Sequence, residues 1–358
     1  MNSDNTYIPN NDKALTLSNS TPVSRDRICA NWLIICATFV FLMAVIGAVT
    51  RLTESGLSMT TWKPVTGAIP PLTHDAWLDE FASYQKSPEF LKKNAGMTLD
   101  DFKNIFFWEW LHRLWGRLIG LIVAVPLFFF WLTGRVADGY GKKFLGLLAL
   151  GGLQGAVGWW MVKSGLIDNP AVSHYRLATH LGLAVFIYAC MVWMALTLLR
   201  RDGTLLMRPV TTTHCLRRHG RWALAFVAIT MVWGAFVAGL DAGLIYNEWP
   251  LMGGRFIPSD MWAATPAWLN VFETHAAVQF THRWLAFTAF VLTLGFAWRT
   301  GSPILATAIV LQFCLGILTL LSHVALPLAA LHQAGALFTL TALLYQLHRV
   351  LLGAPGRG

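Results

Sequence analysis

Residues 28–58 read ICANWLIICATFVFLMAVIGAVTRLTESGLS. The part up to Thr50 is apolar almost throughout and, at about 1.5 Å of rise per residue, is long enough to cross a hydrocarbon core of roughly 30 Å. Lipid offers no hydrogen bonds to an exposed backbone, so a spanning segment of this kind is a helix. Seven further stretches meet the same test, near residues 104–132, 143–162, 174–199, 221–240, 272–298, 303–321 and 328–350. The composition agrees: 55% of the 358 residues are hydrophobic, 13% are charged and 17 are Trp, which is unusual for a soluble domain. The expected fold is an all-α integral membrane protein with eight transmembrane helices.

The end of the opening stretch recurs. Gly47-Ala48-Val49, then Glu54, Gly56 and Leu57, returns as Gly234-Ala235-Phe236, then Asp241, Gly243 and Leu244, at an offset of 187 that also relates Trp62 to Trp249. His112-Arg113 with Trp115 resembles His282-Arg283 with Trp284, while Leu153-Gln154 and Gly158 match Leu311-Gln312 and Gly316 at an offset of 158. Helices five to eight therefore echo helices one to four, and the eight helices are expected to form two tandem pseudo-symmetric four-helix bundles. Four helices per copy preserve each helix's direction, so equivalent residues lie at similar depth.

On this reading residues 1–27 are a disordered cytoplasmic tail, 28–199 a first bundle with a long outer loop at 51–103, and 200–220 a basic cytoplasmic linker. Residues 221–350 form the second bundle and 351–358 a second cytoplasmic tail. With both termini inside, fifteen Lys and Arg fall in inner segments against nine in the longer outer ones. That bias sets the orientation. It also accounts for the net charge of +9 without a nucleic-acid partner. The five cysteines avoid the outer loops, so no exported disulfide is expected. Trp77, Phe81, Tyr84 and Phe90 suggest a short amphipathic helix in the long outer loop, over the first bundle or at the bilayer interface.

Depth turns organisation into chemistry. His112, His180, His282 and His332 each lie two turns or so into helices that run inward, which puts two imidazoles per bundle in one outer layer. Facing imidazoles in a four-helix bundle suit six-coordinate haem iron, and Gly116, Gly120, Gly335 and Ala336 leave room for a macrocycle. Interhelical hydrogen bonding by the same histidines stays open as a plainer role. Zinc is the weaker fit, because neither half offers a third protein ligand. His174, His275 and His323, without repeat partners, are expected at the surface or interface.

The bundles differ at one position. Glu109 stands three residues before His112 on the same helix face, whereas Gln279 stands before His282. A carboxylate at membrane depth is expensive and marks function by default, although pairing with Arg113 or Arg117 would be a structural use for it.

At these residues the sequence resembles the haem A synthase family, in its proteobacterial and mitochondrial class. The resemblance rests on Gly47 to Ser58, on Trp62-Lys63-Pro64-Val65-Thr66-Gly67, and on Glu109-Trp110-Leu111-His112-Arg113-Leu114-Trp115-Gly116-Arg117. Thr179-His180, Thr281-His282-Arg283 and Leu331-His332-Gln333 complete it, so that it covers residues 28–350. It implies oxidation of a ring methyl of haem O to a formyl group, giving haem A for cytochrome oxidase. It further implies that His112 and His180 flank the substrate haem, that His282 and His332 hold a haem b cofactor, and that Glu109 is the catalytic carboxylate. Arg51, Arg113, Arg176, Arg255 and Arg283 become candidate propionate partners. The implied setting is the bacterial inner membrane, with the haem sites towards the periplasm. Haem O and haem A, lipid, an electron-transfer partner and the haem O synthase are the implied partners, and a homo-oligomer is left open. Unlike Gram-positive members, this chain has no cysteine pair in residues 51–103. The farnesylated substrate is expected to pass through a lateral opening between helices two and four. A di-haem electron carrier and a haem transporter are the rival functions.

Overall fold

The computed structural model describes residues 24–61, 66–165, 172–205 and 212–352. The expected tail before Ser24, Trp62 to Val65, part of the basic linker and the tail from residue 353 lie outside the described residues.

Ser24 begins the fold by accepting the Arg27 N–H at 3.1 Å, the N-cap of α1 (Arg25–Leu52). The other long helices are α4 (Leu99–Leu132), α5 (Gly141–Gly165), α6 (His174–Arg201), α7 (His214–Gly239), α9 (His275–Thr300), α10 (Pro303–Leu321) and α11 (Leu326–Leu351). Two short helices, α2 (His74–Tyr84) and α3 (Pro88–Lys93), fall in the first long loop, and α8 (Asn270–Glu273) precedes α9. No named strand occurs among the described residues, so the protein is all-α.

Seven of the long helices are apolar and long enough to cross a membrane. The remaining one, α9, has 26 residues, but His275, Gln279, Thr281, His282 and Arg283 make its first turns polar. The helices α4 and α7 begin well ahead of their apolar stretches. Thr98 and Asp101 form a reciprocal capping box ahead of α4, and Thr213 caps α7 through the Leu216 N–H. In both cases polar capping extends the helix beyond its hydrophobic part.

Packing runs α4 to α1 to α6 to α5 and back to α4 in the first half of the chain. In the second half it runs α9 to α7 to α11 to α10 and back to α9. The second and fourth long helices of each half, α4 with α6 and α9 with α11, thus stand on a diagonal. This corrects the expected opening between helices two and four, because α1 and α5 separate α4 from α6. Contacts of α6 with α7 and of α11 with α1 and α6 join the halves. Arg51 adds a tie, donating to Asp241 at 2.9 Å and to the Ala238 carbonyl at 2.8 Å. The repeat extends to the backbone: Glu54 and Asp241 both adopt left-handed conformations, with φ of 50° and 52°.

The densest packing lies at one end. A single apolar cluster takes in Leu33, Leu127, Phe144, Leu198, Ala223, Phe296, Leu305 and Leu343, one from each long helix, near the end that carries Ser24. There Pro126 interrupts α4, and a proline has no N–H to give the carbonyl four residues back. Trp32 of α1 supplies the missing donor, its Nε1–H reaching the Ile122 carbonyl at 2.9 Å.

At the opposite end a separate cluster forms where α2 and α3 dock on the first turns of α4. Tyr84, Phe90, Phe102, Phe106 and Met59 are buried together, with Trp77 and Phe81 against them. The aromatic residues of the long loop therefore pack on α4. Met59 carries this cluster to the site described next.

Candidate functional site

His112 on α4 and His180 on α6 stand on the first diagonal, and His282 on α9 and His332 on α11 stand on the second. All four are half-buried, and within each half the two imidazoles are near enough to interact electrostatically.

Each imidazole lies against a glycine of a neighbouring helix. A Cβ on Gly47 would stand 3.3 Å from His112 Nε2, and one on Gly158 2.9 Å from His180 Cε1. In the second half a Cβ on Gly234 would stand 3.2 Å from His282 Cε1, and one on Gly316 3.0 Å from His332 Cε1. These are the glycines that the two repeat offsets relate to one another. A side chain at any of them would displace the ring, so the backbone itself sets where the imidazole lies.

The fourth helix of each half is held in a second way. Gln154 Nε2 donates to the His180 carbonyl at 3.1 Å and lies 3.1 Å from its Nδ1. Gln312 Nε2 repeats this on His332, at 3.0 Å and 3.1 Å. Such outer contacts fix ring orientation for a ligating histidine. Two imidazoles across a diagonal, with small residues behind them, are groups that could hold a haem. Among the described residues no three His, Cys, Asp or Glu side chains come together as a metal site.

Glu109 is 3% exposed and fully engaged. One oxygen accepts the Ser58 hydroxyl at 2.7 Å and the Met59 N–H at 2.8 Å, while the other meets Arg113 at 2.5 Å. Arg113 also donates to the carbonyls of Met59 and Thr61, at 3.1 Å and 3.3 Å. The pairing with Arg113 foreseen as a structural use is present, and with it a clasp on the first outer loop. In the second half Arg283 donates to Gln279 at 3.2 Å and to the Tyr246 carbonyl at 2.9 Å. Gln279 turns its amide donor on that same carbonyl at 3.2 Å. Met59 and Tyr246 are related by the offset of 187, so one clasp is built twice with opposite polarity.

The family described as cytochrome oxidase assembly protein matches residues 30–344. The haem A synthase of Rhodospirillum centenum is 52% identical over 333 residues, covering 90% of this chain and 88% of that protein. Those of Parvibaculum lavamentivorans and Maricaulis maris are 47% and 44% identical, each covering 89% of this chain and 93% and 95% of the respective relative. The chain belongs to the haem A synthase family.

Within this haem A synthase family member the five candidate arginines are placed differently. Arg113 and Arg283 are tied to loop carbonyls, and Arg51 joins the two halves. Arg176 donates to the Trp160 carbonyl at 3.0 Å and lies over its ring. The exposed Arg255 side chain makes no hydrogen bond or ion pair among the described residues. His174, expected at the surface or interface, is 8% exposed, with Glu273 at 3.8 Å. Sequence reasoning assigned no role to Ser58, Gln154 or Gln312. The two glutamines were marked only by their match across the repeat, and Ser58 by its place in the family-like stretch.

Proposed function

We propose that this chain is a haem A synthase that oxidises a ring methyl of haem O to a formyl group, giving haem A for cytochrome oxidase. The observation that carries the reading is the doubled frame of imidazoles, glycines and glutamines with one chemical difference, Glu109 against Gln279. A pair of electron-carrying sites would have no evident need for an acid on one side alone.

His112 and His180 hold the substrate haem in the first half, and His282 and His332 hold haem b in the second. When bound, haem b supplies one-electron redox chemistry. Glu109 sets a buried carboxyl group three residues before His112, where it accepts a proton or stabilises positive charge as the methyl carbon is oxidised. Ser58, Met59 and Arg113 fix the carboxylate so that little reorganisation accompanies that step. Arg255 is the best placed of the five arginines for a propionate, since its guanidinium is uncommitted among the described residues.

The architecture is two bundles, residues 28–199 and 221–350, and α9 is the eighth span, supported by its packing on α7 and α10 in the manner of α4 on α1 and α5. Both termini lie in the cytoplasm and the haem sites near the periplasm, supported by the distribution of Lys and Arg. The membrane is the bacterial inner membrane. An electron-transfer partner and the haem O synthase are the partners that this chemistry requires.

Haem extraction from the purified protein tests the assignment. His112→Ala and His180→Ala variants should retain haem b and lose haem O and haem A, whereas His282→Ala and His332→Ala should lose haem b. A protein yielding only haem b from both halves would be an electron carrier, and one with no tightly held haem a transporter.

A further inference from the structure

The two halves are sealed differently along the seam between their second and third long helices. In the second half Phe290 of α9 stacks on Phe313 of α10, with ring centroids 4.6 Å apart and planes 26° apart. Phe287 adds a third ring, 6.3 Å from Phe313. The separation of 170 that relates His112 to His282 takes Phe290 back to Gly120, and the offset of 158 takes Phe313 back to Gly155. Among the described residues, nothing beyond the glycine's own stretch of helix lies within 4 Å of where a Cβ on either would stand. Both are exposed, and α4 touches α5 far more thinly than α9 touches α10.

A stacked aromatic pair contributes roughly 0.5–1.5 kcal/mol beyond the area it buries, so an unfilled seam forgoes cohesion between two helices. The two glycines also lie along the helices that meet the first imidazole pair. Gly120 lies eight residues along α4 from His112, and Gly155 lies three residues before Gly158, which touches His180. A haem without a long substituent fits inside a closed bundle. One with an isoprenoid chain must either fold the chain into the cavity or pass it out between helices into the hydrocarbon, where it is already soluble. The sealed seam belongs to the half assigned to haem b, and the open one to the half assigned to haem O.

We propose that the α4–α5 seam is the slot for the isoprenoid chain of the substrate haem, and that Gly120 and Gly155 determine specificity by keeping it open. This rests on the assignment of haem O to the first half. The substrate reaches and leaves the imidazole pair sideways through this seam, the porphyrin passing inward while the chain stays in an apolar medium throughout.

The test uses the full-length purified protein and two probes, haem O and a haem carrying a hydroxyethyl group in place of the farnesylated one. In the Gly155→Phe variant haem b content should be unchanged, binding of haem O should fall at least ~10-fold, and binding of the short-chain haem should stay within about twofold, an aromatic ring being able to close the seam. Wild-type binding of haem O, or equal loss of both probes with haem b retained, overturns the proposal. Should that variant lose haem b, Gly155→Cys decides instead. Haem O but not the short-chain haem should protect the thiol at position 155 from alkylation, over the background of Cys215 and Cys314; equal protection, or none, overturns the slot. Failure of the wild-type protein to make haem A would remove the functional assignment without mimicking either result, because the probes report binding.

Discussion

The carboxylate of Glu109 accepts a hydrogen bond from the Met59 N–H at 2.8 Å. At the matching place in the second half the polarity is reversed, with Gln279 donating to the Tyr246 carbonyl. Each clasp has one arginine on the same loop residue, so the acid is not needed merely to hold an arginine in place. Glu109→Gln should therefore fold and keep haem b, as the second half shows an amide can serve beside an arginine. Its amide nitrogen, however, would meet a donor in either orientation, Arg113 on one side or Ser58 and Met59 on the other, and the carboxylate would be gone. Haem A formation should drop by about 10²–10⁴, the usual worth of a positioned acid or base. Haem extraction after expression with haem O measures this, and near-normal haem A would remove Glu109 from the chemistry.

Ser58 acts through Glu109 and is a positioning residue. Ser58→Ala keeps the charge but removes one donor to a buried carboxylate, a bond worth about 1.5–3 kcal/mol. Haem A yield should fall roughly tenfold or more on that basis, with haem b content unaffected, and Ser58→Thr should restore most of it. A loss that Ser58→Thr does not rescue would point to damage to the loop instead.

The glycines behind the imidazoles give a pair of contrasting variants. A Cβ at Gly158 or Gly316 would come within 2.9 Å or 3.0 Å of the facing His180 or His332 ring. Helix backbone cannot retreat in a close-packed bundle, so the ring must move. Gly316→Val should strip haem b from the purified protein, while Gly158→Val should leave haem b and abolish binding of the substrate haem. Absorption spectra of the two variants separate these outcomes.

Much of this arrangement was legible in the residues. Long apolar runs and the internal repeat marked out the helices and the four histidines, because hydrophobic length and repetition are properties of the chain itself. The amide at Gln279 against Glu109 was legible for the same reason. Partners brought together by folding were not. Ser58 reaches Glu109 only because the loop folds back on α4, and the diagonal order of helices, which moves the loosest seam to α4 and α5, depends on which faces meet. Phe290 and Phe313 read as ordinary apolar residues until their stacking gives Gly120 and Gly155 a meaning.

The outer module of α2 and α3 should respond to pH through Glu89. Its carboxyl is 3% exposed, accepts the Tyr84 hydroxyl at 3.1 Å, and is pushed up to about 7, mainly by burial and further by the nearby charge of Glu109. A carboxyl whose folded value lies above its unfolded one favours folding most when protonated. The module is thus most stable below about pH 4.5 and loosens as pH rises through about 7. Hydrogen exchange across residues 74–97 should accelerate over that window beyond its intrinsic pH dependence, and Glu89→Gln should flatten the excess. A variant that keeps the excess would assign it to another group.

Trp32 and Pro126 form a coupled pair at the far end of the bundle. Pro126 leaves the Ile122 carbonyl without its helical donor, and Trp32 supplies one from α1 at 2.9 Å. Among the described residues only Cys36 Sγ, at 3.9 Å, offers a second and weaker contact. Trp32→Phe keeps an aromatic ring beside Phe130 and Phe144, with which Trp32 makes edge contacts. It removes the N–H, and a buried carbonyl left unsatisfied costs about 1–3 kcal/mol. Pro126→Ala restores an N–H at position 126 that can bond Ile122 within the helix. In that background Trp32→Phe should cost less than about half as much, since the carbonyl no longer depends on α1. Thermal release of haem b from the detergent-solubilised protein, followed for the two single variants and the double variant, gives the cycle. Additive losses would show that Trp32 contributes by packing alone.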